Sequence, residues 1–202
     1  MLHKRQQRNT TTHARYRAHV MVLVCLLLVG FSWAGYLMAS ETSERRVKIS
    51  LSIFPRVIAV DNHFREKLTE HKKAHLVFVY DKDRAKSEDL REQFLQKNNS
   101  VAGMKLEVES VNVKDLLVAG MRPPTALFVT ERLSDDELRD LVAYAISKHI
   151  ILFSPFAGDV ERGATAGIAV TSRVKPYFNM NTLKQSVIEI NALLMKLSKR
   201  YE

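Results

Sequence analysis

An α/β domain with a mostly parallel sheet and helices on both faces is the fold class the sequence predicts. It is closed by a C-terminal edge hairpin and a long final helix, and preceded by an N-terminal hydrophobic helix. Two observations carry this expectation. Short runs of β-branched and aromatic residues, HLVFVY at 75–80 and TALFVT at 125–130, alternate with amphipathic helical stretches. Strands separated by helices pair in parallel through right-handed crossovers, which leaves both sheet faces to be covered. With 202 residues, 46% of them hydrophobic, the chain has material for one such domain and an appendage.

The appendage is N-terminal. Lys4, Arg5, Arg8, Arg15 and Arg17 precede the first acidic residue, Glu41, and no charge falls between Ala18 and Ser40. A basic flank followed by an apolar run (VMVLVCLLLVG at 20–30) is the export signature. Ser32 and Ala34 before Gly35 suit a signal-peptidase site, while an uncharged stretch of about 20 residues also spans a bilayer, so a cleaved signal and a retained anchor are both open. The basic residues favour the cytoplasmic side and send the rest across. The expected organisation is a basic cytoplasmic region over 1–19, a signal peptide or transmembrane anchor over 20–40, a polar tether over 41–46, and the α/β domain over 47–202. Localisation is therefore periplasmic, either free or anchored in the inner membrane.

Removing the five N-terminal cations from the formal charge of +9 leaves 26 basic against 22 acidic residues, a net of +4. Charges of both signs are interleaved there, which argues against nucleic-acid binding. Cys25, the sole cysteine, lies in the apolar run, so the domain has neither disulfide nor thiol chemistry.

Within the domain, Val47, Leu51, Phe54 and Ile58 recur at helical spacing and predict a buried helix, which Pro55 should kink or divide. The strand at 75–80 is followed by a helix with Ser87 as N-cap, Glu88 and Asp89 in its first turn, and Leu90, Phe94 and Leu95 as its stripe. Residues 105–111 read as a strand, 113–120 as a short helix, and 125–130 as a strand after Pro123 and Pro124. Ser134 and Glu137 form a capping box with Leu133 and Leu138 at the staple positions, and Leu138, Leu141, Val142, Ala145 and Ile146 make the core face. Residues 150–154 are the next strand. Two runs, 167–172 and 174–178, suggest a hairpin at the sheet edge, where Pro176 is tolerated. Leu183, Val187, Ile190, Leu194, Leu197 and Tyr201 then predict one long buried helix capped by Asn181.

In open α/β sheets, ligands meet the carboxyl ends of the strands. The loops there offer Asp81, Thr130, Arg132, Ser154 and Arg162 as candidate ligand contacts, each with an ordinary reading as a cap or solvated charge. Asp81 and Asp83, with Glu161 and Lys175, fall short of an acidic metal or phosphoacceptor cluster, because nothing in their spacing demands it. His71 and His75 lack supporting ligands and read as a solvated pair beside a strand. Ser154 sits in FSPFAG with no nucleophile elbow and no histidine beyond His149, and glycine-rich phosphate loops are absent. No catalytic residue, metal or cofactor is expected.

The C-terminal third, with IILFSP, DVERGATAGIAV, RVKPYFNMNTL and LLMKLSKRYE, resembles the YfiR-like family of periplasmic proteins. The matching residues are Glu161, Arg162 and Gly163 in the turn, then Asn179 with Met180 in the usual leucine place. The resemblance implies one lobe of a periplasmic-binding-protein-like fold without enzymatic activity. It also implies a regulator that binds an inner-membrane diguanylate cyclase. The cysteines of the best-understood relatives are absent from this domain. The expected function is thus a non-enzymatic periplasmic interaction module with an envelope protein as partner and a homodimer as an admissible form. Its alternative is a small-molecule receptor lobe with a cleft lined by Asp81, Thr130 and Ser154.

Overall fold

In the computed structural model the described residues are 42–118, 120 and 122–202. The basic region 1–19 and the signal or anchor 20–40 lie outside them, and no helix among the described residues is long and apolar enough to cross a membrane. The chain divides into two units, Met1–Glu44 and Arg45–Glu202; the second carries the fold.

Residues 42–59 are helical (α1), so the stretch expected as a tether is helix from residue 42 onward. Val47, Leu51, Phe54 and Ile58 are buried, as their spacing predicts, and Val57 joins them. Pro55 does not divide α1. An interior proline costs a helix about 3 kcal/mol, whereas burying Phe54, Val57 and Ile58 around it contributes about 1.5–3 kcal/mol for each side chain. Packing therefore outweighs the lost hydrogen bond.

The strands are β1 (Ala74–Tyr80), β2 (Ser100–Val101), β3 (Met104–Asn112), β4 (Ala126–Val129), β5 (Ile151–Ser154), β6 (Ala166–Val170), β7 (Val174–Asn179) and β8 (Lys199–Tyr201). They form one eight-stranded sheet in the order β2-β3-β1-β4-β5-β6-β7-β8. The run from β3 to β6 is parallel, β6 and β7 form an antiparallel hairpin, and β8 lies parallel to β7. The helices between are α2 (Arg84–Lys97), α3 (Val113–Val118) and α4 (Asp135–Ser147), followed by α5 (Met180–Gln185) and α6 (Ala192–Leu197). The chain steps one way from β1 to β3 and the other way from β4 to β5, so right-handed crossovers place α2 and α4 on opposite faces. That reversal creates a switch point at the carboxyl ends of β1 and β4.

On the α2 face, Phe78, Phe128 and Phe153 stand in register across β1, β4 and β5. Their rings lie 5.0 and 5.7 Å apart. Phe54 of α1 covers the row at 5.1 Å from Phe128 and 5.4 Å from Phe153, and Phe94 of α2 closes it at 5.5 Å from Phe78. The capping box of α4 is present as its sequence predicts, and Leu133, Leu138, Leu141 and Ala145 are buried.

Three expectations are corrected. Helix α2 is capped by Asp83, whose carboxylate accepts from the Lys86 amide at 2.9 Å, and Ser87 lies buried inside the helix with its hydroxyl 3.0 Å from that of Ser110. The β6–β7 hairpin is one strand in from the edge, which is β8; Pro176 precedes Tyr177–Asn179, the part of β7 that pairs with β8, so its missing donor faces no neighbour.

The long closing helix is two short helices and a strand. Asn179 rather than Asn181 caps α5, accepting from Thr182 at 3.0 Å. After Ser186 the chain turns at Val187 in the left-handed region (φ 52). Residues 189–191 then bond to the end of α1, with Asn62 N–H donating to Glu189 O at 2.8 Å and Asn191 N–H to Val60 O at 2.9 Å. These long-range bonds win over the local helical period.

Gly167 permits the β5–β6 approach: a Cβ there would meet Ser154 O at 2.5 Å and Val160 Cγ2 at 2.8 Å. Gly167→Ala is expected to destabilise the domain by about 2 kcal/mol, as overpacking against backbone does, measurable as a lower urea midpoint.

Candidate functional site

At the switch point the loop from β1 into α2 turns its amides toward Glu131. One carboxylate oxygen of Glu131 accepts from Asp81, Lys82 and Asp83 at 2.8, 2.7 and 2.9 Å. Convergent amides before a helix are an anion site, and here the chain's own carboxylate occupies it. Asp81 meets Lys114 Nζ at 3.3 Å, and Lys114 lies 3.8 Å from Glu137. Burial works to raise the Asp81 carboxyl, but the Lys114 ammonium holds it below the usual value, and Asp81 in turn raises Lys114. Thr130 is fully buried and donates to Val79 O at 2.8 Å. The switch point is thus filled from within.

Three of the remaining candidates converge on a residue the sequence did not single out. Asp159 is fully buried. It accepts from the Ser154 hydroxyl at 2.5 Å and from Arg162 at 2.5 Å, and Arg132 stands 3.7 Å away. Arg162 also bridges to Asp135 at the start of α4, and Asp159 raises its pKa above the usual value. Arg132 donates to Ala157 O at 3.0 Å and lies over the Phe156 ring at 5.6 Å. Ser154 is fully buried, so it and Thr130 do not line the receptor cleft expected of them. The residues behind the family resemblance hold this same loop. Gly163 turns in the left-handed region (φ +111), where a Cβ would lie 3.1 Å from Val142 Cγ1, and Asn179 donates to Val160 O at 2.7 Å.

Beside this network lies a cleft of about 150 Å³ bordered by Arg46, Glu161, Tyr177 and Lys199. Arg46 donates to Pro155 O and Ile168 O, both at 2.9 Å, and burial holds it below the ordinary arginine value. Tyr177 donates to Glu161 at 3.1 Å, and Lys199 Nζ stands 4.5 Å above its ring. No motif spacing linked these four, because they come from α1, the β5–β6 loop, β7 and β8. Burial, then the Glu161 carboxylate, push the Tyr177 phenol up to about 12. The raised value means that its contribution to stability is complete below the unfolded value of 10.0 and is lost as pH rises toward about 12. Comparing tyrosinate absorbance of the native chain and Tyr177→Phe is expected to show one tyrosine fewer titrating near the upper end of that window.

Among the described residues, no group of three His, Cys, Asp or Glu side chains could hold a metal ion. Asp83 serves as a cap, and His75 pairs with Glu109 at 2.7 Å. The surface also carries Val187 and Leu197, which the expected closing helix would have buried and which are 64% and 60% exposed, together with Leu193 at 69%.

No family model matches the sequence, and no curated protein matches it. Among solved structures, the chain is similar to an ABC domain in complex with L-Trp from Streptococcus pneumonia (TM-score 0.46, 14% identity, 71% of this chain and 61% of that one). It is also similar to CD0873, a ligand-free, open substrate binding protein with adhesive properties from Clostridium difficile (0.46, 17%, 65% and 55%). A third is a conserved domain protein from Vibrio cholerae (0.47, 14%, 68% and 57%). The chain therefore spans less than two thirds of each. At these identities and TM-scores the likeness assigns neither a family nor a ligand.

Proposed function

We propose that the domain is a non-enzymatic interaction module that acts outside the cytoplasm by binding and regulating an envelope protein. The observation that carries this reading is the apolar surface of α6. Leu193 and Leu197 stand four residues apart, so they share one helical side, and both are more than half exposed. Contiguous exposed apolar side chains mark an interaction site. Lys196, Lys199 and Arg200 are exposed close by in the sequence, a basic setting that an acidic partner would match. The YfiR-like resemblance supports an inner-membrane signalling enzyme, of the diguanylate cyclase class, as that partner. A retained N-terminal anchor would keep domain and partner at high effective concentration.

The double variant Leu193→Glu/Leu197→Glu is expected to melt as the unaltered chain does, because neither side chain is in the core, and to lose the partner. Crosslinking pull-down from intact cells with a C-terminal tag reads this. Specific recovery of an inner-membrane signalling enzyme by the unaltered chain, and not by the variant, supports the module. Equal recovery by both sinks it.

A small-molecule receptor lobe is the second reading, favoured by the cleft of Arg46, Glu161, Tyr177 and Lys199. It holds about five waters' worth of space, which suits a small polar ligand rather than a large one. A ligand-induced rise in Tm that Lys199→Ala abolishes would move weight to it.

A further inference from the structure

The two ends of the sheet are built differently. At one end β8 is three residues long, follows α6 directly, and carries Lys199 and Arg200, the features of an edge closed to further strands. At the other end β3 runs for nine residues, and β2 pairs only with its first two, Met104 and Lys105. From Leu106 to Asn112 β3 is bonded to β1 on its inner side. Among the described residues no strand or backbone hydrogen bond reaches its outer side. A free ladder of seven residues thus offers its outward N–H and C=O groups in an extended row, with no proline or bulge to interrupt it.

The side chains along this edge select what can pair there. Leu106, Val108 and Ser110 turn toward α2, the Ser110 hydroxyl meeting Ser87. Glu107 and Glu109 turn to the other face, where their side chains are 54% and 44% exposed. Their side-chain partners, Lys73 at 3.9 Å and the His75 ring at 2.7 Å, lie on the β1 side, so among the described residues no partner holds either carboxylate from the outer flank. A second copy of the chain is a poor occupant. An antiparallel pair of β3 strands centred on Val108 would set Glu107 against Glu109, and one centred on Glu109 would set it against itself; like charges directly opposite each other destabilise a pair.

We propose that the free edge of β3 is a docking site for an extended, basic segment of a partner protein, which adds a strand beside Leu106–Asn112 and places Lys or Arg opposite Glu107 and Glu109. The main-chain ladder supplies affinity, and the alternating acidic positions supply the choice of partner. This rests on the reading of the domain as an interaction module. It names a second surface, at the opposite end of the sheet from α6, and the chemistry that surface accepts.

The test uses the full chain in detergent micelles and fluorescence anisotropy of synthetic peptides long enough to span the free edge. One alternates lysine with valine, a second carries glutamate in place of each lysine, and a third is the lysine peptide with alternate amides N-methylated. The lysine peptide is expected to bind saturably, and N-methylation to abolish binding, because methyl groups block the ladder. The variant Glu107→Lys/Glu109→Lys is expected to bind the lysine peptide at least about tenfold more weakly, a loss of about 1.4 kcal/mol, and to gain binding of the glutamate peptide. Both positions are solvent-facing, and an unchanged melting curve establishes that the variant is folded. The inference is overturned if the lysine peptide fails to bind, if the N-methylated peptide binds as well, or if charge reversal leaves the preference unaltered. The Leu193→Glu/Leu197→Glu variant separates the two claims: it is expected to bind the lysine peptide normally while losing the α6 partner.

Discussion

Phe54→Ala is expected to remove about 4 kcal/mol of stability, the largest loss from any single truncation in the domain. Phe54 is fully buried and is the aromatic ring through which α1 reaches three strands and α2. Deleting it empties the centre of a five-ring cluster whose other members are held by sheet register, so the cavity cannot collapse without breaking the alignment of Phe78, Phe128 and Phe153. Its neighbour Pro55 already costs α1 a hydrogen bond, so α1 is expected to come off the sheet first. Urea unfolding reads the loss of stability, and hydrogen exchange confined to residues 45–59 reads the order of events.

Arg162→Ala is expected to cost about 3 kcal/mol, because it leaves the carboxylate of Asp159 buried without its closest cation. Arg132, at 3.7 Å and tied to Ala157 O, is a poor replacement. Replacing Asp159 and Arg162 together by apolar residues is expected to cost less than the single change, since no buried charge is then stranded. Thermal melts of the two variants side by side decide this: a single variant as stable as the double would mean that solvent reaches Asp159.

Features set by neighbouring residues were legible in the chain. The strand HLVFVY needs only its own β-branched and aromatic content, and the start of α4 needs only Ser134 and Glu137, three residues apart. Features set across the fold were not. The start of α2 lies at Arg84, where Asp83 caps it and Glu131, about fifty residues away, holds the amides of 81–83. The closing helix obeys its period only until Ser186, where bonds from 189–191 to Val60 and Asn62 take over and leave LLMKL in a short helix whose Leu193 and Leu197 are exposed, and KRY as an edge strand. Of the candidate site, the sequence placed Arg132, Ser154 and Arg162 in loops that do meet. It did not single out Asp159, an ordinary loop aspartate that is fully buried against Ser154, Arg162 and Arg132.

The most direct test of the interaction module is a photoreactive residue placed at position 197 of the full chain in intact cells, with the same residue at exposed Asp140 on α4 as reference. An adduct with one inner-membrane signalling protein is expected at 197 and none at 140. No adduct at 197, or the same adducts at both positions, would contradict the interaction module.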